Sequence, residues 1–180
     1  MISLFTVGHS NHPIERFLEL LNGAQINTLV DVLALPGSRR WPQYDQQALR
    51  QSVANMKIEY AWLPALGGRR KARADSKNTA WRNAAFRGYA DYMETAEFED
   101  GIVDLVSTAT GSTACIMCSE ALWWQCHRGL ISDLLKTGGH RVLHILSDGR
   151  TQEHPYSSAA RIVNGRLSYE SEQGVLEYQG

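Results

Sequence analysis

Cysteine and proline are scarce in this chain of 180 residues, which has three cysteines and five prolines. Three is an odd number, and the cysteines form no disulfide-dense pattern, so we expect reduced thiols. No apolar run is long enough to cross a membrane, and the N-terminus lacks a basic segment followed by a long apolar core. These absences predict a cytoplasmic protein that does not bind a membrane.

An excess of charge of either sign is also missing. The chain has 18 basic and 19 acidic residues, and its formal net charge is −1. It therefore has no overall attraction to polyanions, and nucleic-acid binding would need a local basic patch. The apolar fraction of 43% and the length of 180 residues are those of a globular domain with a proper core.

Strand and helix patterns alternate along most of the chain. The apolar patterns predict strands over 3–7, 28–32, 59–63, 113–117 and 141–146, and helices over about 13–21, 46–56, 81–93, 96–107 and 126–136. This alternation is typical of a parallel sheet covered by helices. We predict a single α/β domain over residues 1–150, with a mostly parallel sheet of about five strands and helices on both faces.

The C-terminal tail, residues 151–180, has a different pattern. Two short runs, 161–163 and 166–169, flank Asn164-Gly165, which is a strong signal for a β-hairpin. The hairpin either adds an antiparallel edge to the sheet or forms an appendage of the domain.

The stretch from Cys118 to Arg128 organises the functional interpretation. It joins the end of the fourth predicted strand to the start of the next helix, and it contains Cys118, Glu120, Cys126, His127 and Arg128. Two thiols, a carboxylate, an imidazole and a guanidinium thus fall in one region. In open α/β folds, ligands bind in the crevice at the carboxyl ends of the strands.

Other reactive side chains follow other strands and should meet this stretch at the same edge of the sheet. His9 and Ser10 follow the first strand, and Asp31 lies at the end of the second. Two irregular loops add positive charge and small residues: Ser38, Arg39 and Trp41 in the loop 33–45, and Gly67, Gly68 and Arg69 in the loop 64–79. Two glycines before Arg69 suggest close approach of the backbone to another group.

Each of these candidates has a structural alternative. Asp31 is either a catalytic carboxylate or a buried group paired with an arginine. Cys126 lies at a predicted helix N-terminus beside two cationic residues, which would lower its pKa, or it packs under the loop. Cys118 is either a site residue or a core thiol. Glu120 is an acid–base group or a partner of Arg128 or Arg39 in a salt bridge.

A metal site or a bound cofactor is not expected. The spacing of Cys118, Cys126 and His127 is not that of a zinc ribbon or finger, and the neighbours Cys126 and His127 are expected to point in different directions. The chain also has no phosphate-binding P-loop and no dinucleotide-binding glycine motif after a strand.

The chain resembles the bacterial and archaeal "domain of unknown function 488" family over about residues 6–145. The matching pieces are Thr6-Val7-Gly8-His9-Ser10, Asp31-Val32 with Pro36 and Ser38, Tyr60 with Leu66-Gly67-Gly68-Arg69, Phe86 with Gly88-Tyr89-Ala90-Asp91-Tyr92-Met93, and Cys118 and Glu120 with Cys126-His127-Arg128. The family usually has Asp-Val-Arg where this chain has Asp31-Val32-Leu33. The resemblance implies a cytoplasmic α/β domain, and family members are often labelled as DNA-repair proteins.

These observations predict an enzyme that acts on a nucleic acid or a nucleotide, in a repair reaction such as base excision. Arginines would hold phosphate, a tryptophan would stack on a base, and a carboxylate would activate water. The predicted catalytic residues are Asp31, Glu120, Cys126 and His127, and the predicted substrate-binding residues are His9, Ser10, Ser38, Arg39, Trp41, Gly67, Gly68, Arg69, Tyr89, Cys118 and Arg128.

Two other functions fit the same residues. The first is a thiol-dependent enzyme of a small molecule, with Cys126 or Cys118 as nucleophile and His127 or Glu120 as proton carrier. The second is a non-catalytic module that binds DNA or a phosphate ligand through its arginine loops alone. The oligomeric state does not follow from the sequence.

Overall fold

Five parallel strands form the centre of the fold in the computed structural model, which describes residues 1–171. They are β1 (Ser3–Gly8), β2 (Thr28–Asp31), β3 (Glu59–Trp62), β4 (Ala114–Cys118) and β5 (Arg141–Ile145). Their order across the sheet is β3-β2-β4-β1-β5. Every residue of β2 and β4 is buried, as expected for inner strands of a parallel sheet with both faces covered.

Helices cover both faces of the sheet, as the alternating pattern predicts. Buried side chains of α1 (Ile14–Gly23) and α2 (Gln46–Asn55) form one core with one face of the sheet. On the other face, α3 (Ala84–Tyr92), α4 (Ala96–Ala109) and α5 (Arg128–Thr137) form a second core. The predicted fold class, a single mixed α/β domain, is therefore confirmed.

Capping side chains set where several helices begin. The carboxylate of Asp45 accepts a hydrogen bond at the start of α2, and the hydroxyl of Thr95 does so at the start of α4. The Asn83 side chain accepts hydrogen bonds from the backbone of the first turn of α3. Because Asn83 is the cap, α3 begins at Ala84, and the expectation of a helix from residue 81 is wrong.

The fifth helix also begins later than the pattern predicts. Cys126 has an extended backbone, with φ −134° and ψ 146°, and His127 is the residue that precedes the first helical position, Arg128. The segment before it, Trp123–Gln125, is a short 3₁₀ helix. Cys126 therefore precedes the first turn of α5 and is not one of its helical residues.

A sixth strand, β6 (Thr151–Glu153), pairs antiparallel with β5 and was not predicted. All three of its residues are exposed and polar, so the segment has no apolar alternation to reveal it. The Asp148-Gly149 turn before it, with Gly149 at φ 90°, is the sequence signal that identifies such a hairpin.

The predicted C-terminal hairpin is present as β7 (Arg161–Val163) and β8 (Arg166–Ser168). Asn164 and Gly165 both have positive φ, as a two-residue hairpin turn requires. The hairpin forms a two-stranded sheet of its own and does not extend the main sheet. Just after it, the hydroxyl of Tyr169 donates a 2.8 Å hydrogen bond to Asp133 of α5. Residues 172–180 of the predicted tail lie outside the described residues.

Candidate functional site

The end of β1 and the end of β4 lie side by side, because these strands are neighbours in register with Gly8 beside Cys118. Beyond the strands, the backbone N–H of His9 donates to the carbonyl of Cys118, and that of Ser10 donates to the carbonyl of Ser119, both at 2.9 Å. The structure thus brings the first histidine to the segment with the thiols, as the parallel topology requires.

Two adjoining cavities open at this edge of the sheet. We call the first, of about 290 Å³, the thiol cavity, and the second, of about 510 Å³, the arginine cavity. Arg69, Ser119 and Glu120 line both of them, together with Leu33 and Leu35. The thiol cavity is further lined by Gly68, Tyr89, Cys118, Cys126 and His127, and the arginine cavity by His9, Ser10, Ser38, Arg40 and Trp41.

The thiol cavity contains a compact group of three possible ligands. The Nδ1 atom of His127 lies 3.6 Å from the sulfur of Cys126 and 3.9 Å from the sulfur of Cys118. All three donor atoms lie within 4.8 Å of one another. The expectation that Cys126 and His127 point in different directions is therefore wrong. The chain changes from extended backbone at Cys126 to helical backbone at His127, and this change turns both side chains to the same side.

The two thiols have opposite pKa shifts. A hydrogen bond from the Cys126 thiol, together with His127 and the backbone N–H of Glu120, holds the pKa of Cys118 well below its usual range. Burial, and the adjacent Cys118, raise the pKa of Cys126 well above its usual range. The expected low pKa at Cys126 is thus found at Cys118, because Cys126 is buried and its thiol hydrogen-bonds to Cys118.

Arg128 lies beneath the site and lines neither cavity. It is only 1% exposed, and its Nη2 donates a 2.8 Å hydrogen bond to the carbonyl of Ala121. Its Nε and Nη1 atoms have no hydrogen-bond partner among residues 1–171. The expected salt bridges from Glu120 to Arg128 or to Arg39 do not form in this part of the chain. Arg128 is therefore a buried cation next to thiols, and the position does not suit a phosphate ligand.

In the arginine cavity, Arg40 takes the place expected for Arg39. Arg40 lines the cavity and its guanidinium lies 5.3 Å from the ring centre of Trp41, whereas Arg39 is exposed and lines neither cavity. The hydroxyl of Ser38 accepts a 3.0 Å hydrogen bond from the backbone N–H of Trp41 and so shapes this loop. His9 is buried and stacks on Tyr44, and burial lowers its pKa.

The glycines before Arg69 are required by the protein's own packing. A Cβ atom at Gly67 would lie 2.6 Å from Ala34, and one at Gly68 would lie 2.9 Å from Nδ1 of His127. The close approach that the sequence suggests is thus to Ala34 and His127. Arg69 itself is exposed, lines both cavities and has φ 64°, in the left-handed region.

Aromatic residues contribute unequally to the site. The Tyr89 ring packs 5.0 Å from the His127 ring, and its hydroxyl donates to the carbonyl of Leu66 at 2.7 Å. Trp123 is buried and stacks on His144 at 4.6 Å, so it is not free to stack on a ligand. Trp41 is the tryptophan that lines the arginine cavity.

Asp31 is not in either cavity. It is 1% exposed and accepts hydrogen bonds from the hydroxyl of Tyr60 at 2.6 Å and from the backbone N–H of Leu33 at 2.9 Å. Side chains alternate along strands, and the alternation puts Asp31 on the face of α1 and α2 and Cys118 on the opposite face. The Asp31 side chain thus lines neither cavity, and no arginine pairs with it among residues 1–171. Burial raises its pKa to about 6.

The raised pKa of Asp31 predicts a pH-dependent loss of stability. Its pKa is 3.8 unperturbed and about 6 in the fold, so ionisation of Asp31 destabilises the fold as the pH rises through that interval. The effect is about 3 kcal/mol for a shift of about two units. Urea unfolding of wild type and Asp31→Asn at pH 4 and pH 7 measures this effect. Relative to wild type, the free energy of unfolding of the variant should be higher at pH 7 than at pH 4. A carboxyl pKa at or below 4 by NMR would contradict this account.

A larger depression, of about 670 Å³, lies elsewhere on the surface. It is lined by residues around Trp81, Phe86 and Arg161, and it contains neither a cysteine nor a histidine. The cavities at the strand ends are smaller, but they contain the chemically reactive side chains, and we therefore take them as the candidate site.

The fold and this site define an α/β domain with a ligand-type crevice at the carboxyl edge of its parallel strands. The chain belongs to the family described as Domain of unknown function DUF488, which matches residues 13–135. This segment includes both cavity-lining loops and the segment from Cys118 to Arg128, whereas His9 and Ser10 precede it. Searches of curated proteins and of solved structures gave no match. Within residues 1–171, no helix has the length and apolar character needed to span a membrane.

Proposed function

We propose that this protein is a cytoplasmic enzyme that hydrolyses a bond in a nucleotide unit, either free or within a nucleic acid, in a repair-type reaction. The observation that carries the proposal is the wall shared by the two cavities. Arg69 and Glu120 line both, so a cation and a carboxylate face the same ligand space. The three free cysteines are consistent with a reducing compartment.

The arginine cavity suits the phosphate of such a substrate. Arg40 and Arg69 line it, and neither guanidinium has an acidic partner among residues 1–171. Arginine binds phosphate oxygens with two parallel N–H donors. Trp41 lies in the same cavity, and an aromatic ring there provides a surface on which a base stacks. Other cations of the basic loop are already engaged: Arg70 lies over the Tyr92 ring, and Arg73 pairs with Glu94.

Glu120 is the best candidate for the acid–base group. It is exposed at the boundary of the two cavities, where a bound water and a substrate atom would both be within reach. A carboxylate in that position accepts a proton from the attacking water. The cavity volumes, about 290 and 510 Å³, match a small ligand of nucleotide size spread over both.

Burial of the sulfurs favours this proposal over a thiol nucleophile. Cys118 is 2% exposed and Cys126 is 3% exposed, so little of either residue is accessible to an incoming electrophile, although both line the thiol cavity. The third alternative, a module that only binds, is separated by Glu120→Gln. In an enzyme, this variant should retain ligand binding and lose at least about 100-fold in turnover. In a binding module, the wild-type protein has no turnover, and the variant binds the ligand as wild type does.

Replacing Arg69 by alanine tests the phosphate subsite. We expect affinity for a fluorescent single-stranded oligonucleotide at low salt to fall about 10-fold to 100-fold, and the slope of log affinity against log salt to decrease by about one. Fluorescence anisotropy over a series of salt concentrations measures both, with a nucleoside monophosphate as competitor.

The matched control is Lys71→Ala, because Lys71 is exposed in the same loop and lines neither cavity. Lys71→Ala should bind the oligonucleotide with nearly the affinity of wild type. Equal losses in the two variants would show a diffuse charge effect and contradict the subsite. Absence of binding by the wild-type protein at low salt, for single and double strands and for the nucleotide, would remove the proposal.

A further inference from the structure

We propose that Cys118, Cys126 and His127 bind a zinc ion in the thiol cavity. The inference stands on the geometry of these three residues and does not depend on the substrate proposed above. Their donor atoms, two sulfurs and one imidazole nitrogen, are of the type that zinc selects, and they all lie within 4.8 Å of one another.

The two sulfur–nitrogen distances are close to the corresponding edges of a zinc tetrahedron. With zinc–sulfur bonds of about 2.3 Å and zinc–nitrogen bonds of about 2.0 Å, a tetrahedral ion separates sulfur from nitrogen by about 3.5 Å. The observed separations from Nδ1 of His127 are 3.6 Å to Cys126 and 3.9 Å to Cys118. The three side chains therefore need little movement to bind the ion.

The orientation of His127 is a second, independent observation. Its Nε2 atom lies 3.2 Å from the carbonyl oxygen of Val32, which accepts a hydrogen bond and so requires the proton on Nε2. In the neutral ring with this tautomer Nδ1 carries the lone pair, and Nδ1 is the atom that faces both sulfurs. Metal-binding histidines in proteins are commonly oriented in this way by a hydrogen bond from the other ring nitrogen.

Zinc binds cysteine as the thiolate, and two features beside the sulfurs suit that negative charge. The backbone N–H of Arg128 donates to the sulfur of Cys126 at 3.5 Å. The guanidinium of Arg128 is buried and has no carboxylate partner within residues 1–171, so negative charge on the neighbouring sulfurs would offset it. Gly68 leaves room beside Nδ1, since a Cβ there would lie 2.9 Å from this atom.

Three protein ligands leave the fourth position of the ion open towards the cavity. Zinc sites with three protein ligands and one open position are typically catalytic, whereas structural sites are closed by four. Arg69 and Glu120 line the same cavity. The site would therefore hold a zinc-bound water beside a carboxylate and a cation. A resident ion would also occupy Cys118, which excludes this thiol as a free nucleophile.

Metal binding by the full chain under reducing conditions tests the inference. Metal-free protein is titrated with cobalt(II), as a spectroscopic probe, and with zinc(II). We expect one ion per chain, a thiolate-to-cobalt charge-transfer band and displacement of cobalt by zinc. Cys118→Ser, Cys126→Ser and His127→Asn should each weaken zinc binding at least about 10-fold to 100-fold. Circular dichroism of each metal-free variant checks that it is folded.

Cys115→Ala is the matched control, because Cys115 is a buried thiol on the opposite face of β4 and lies outside the group of three. It should bind zinc as wild type does. The inference is overturned if reduced wild-type protein binds no zinc or shows no thiolate band, or if the cluster variants bind as wild type does. A Cys118–Cys126 disulfide that forms in air, with no zinc binding after reduction, overturns it equally.

Discussion

Asp133→Asn is expected to lower the free energy of unfolding by about 3 kcal/mol. Asp133 is fully buried in α5, and its carboxylate accepts hydrogen bonds from His154 at 2.9 Å, from the backbone of Ser157 at 2.8 Å and from Tyr169 at 2.8 Å. An asparagine side chain would point an NH₂ group at a buried donor. For a chain of this length, the loss corresponds to a decrease in Tm of about 10 °C.

Urea unfolding and thermal melting measure this effect. Asp104→Asn is the control, since Asp104 is an exposed residue of α4, and it should change stability by less than about 0.5 kcal/mol. Tyr169→Phe should lower the free energy of unfolding by about 1 kcal/mol, because it removes one hydrogen bond of the same network. An Asp133→Asn variant as stable as Asp104→Asn would show that the network does not hold the fold.

This network also supports the candidate site. His154 continues it to His144 at 2.8 Å, and His144 to the hydroxyl of Thr6 at 2.7 Å, all of them buried. Burial lowers the pKa of His144 to about 2. Trp123 stacks on His144 and lies in the 3₁₀ helix just before Cys126. The network therefore fixes the segment from which the cysteine and histidine of the thiol cavity project.

Gly8→Ala is expected to destabilise the protein by at least about 3 kcal/mol, enough to make much of it insoluble. A Cβ atom at Gly8 would lie 1.7 Å from the carbonyl oxygen of Glu120 and 2.8 Å from the buried guanidinium of Arg128. The oxygen belongs to the backbone, so no change of rotamer relieves the overlap. The soluble fraction and the urea midpoint of the purified variant measure the loss.

Gly23→Ala is the control for Gly8→Ala. Gly23 is the last residue of α1, and a Cβ there would meet no atom of residues 1–171 within 4 Å. Because alanine is a better helix former than glycine, this variant should be at least as stable as wild type. If Gly8→Ala has the urea midpoint of wild type, the ends of β1 and β4 are not as close as described, and the geometry of the candidate site is wrong.

The fold could be predicted from the sequence because its patterns are local. Apolar runs mark the inner strands, and apolar stripes mark the helices, so the parallel sheet and the hairpin at Asn164-Gly165 follow. The features that could not be predicted depend on tertiary contacts. The strand β6 is polar and is held by pairing with β5, and the start of α5 depends on the backbone at Cys126, which no propensity reveals.

The candidate site could be predicted only in part, for a related reason. Parallel topology brings His9 and Ser10 to Ser119 and Glu120, and this was inferred from the strand ends. It was harder to predict which face of the sheet a side chain at a strand end occupies, and Asp31 lies on the opposite face from Cys118. Within the loop 33–45, the choice of Arg40 over Arg39 depends on irregular backbone, for which sequence periodicity gives no signal.

The central claim is that the thiol and arginine cavities form one ligand site. A crystal structure of the protein with a nucleoside monophosphate tests it most directly. We predict the phosphate within hydrogen-bond distance of Arg40 or Arg69, with the rest of the nucleotide extending past Glu120 towards the thiol cavity. A nucleotide bound instead in the depression around Trp81, with both cavities empty, would contradict the account.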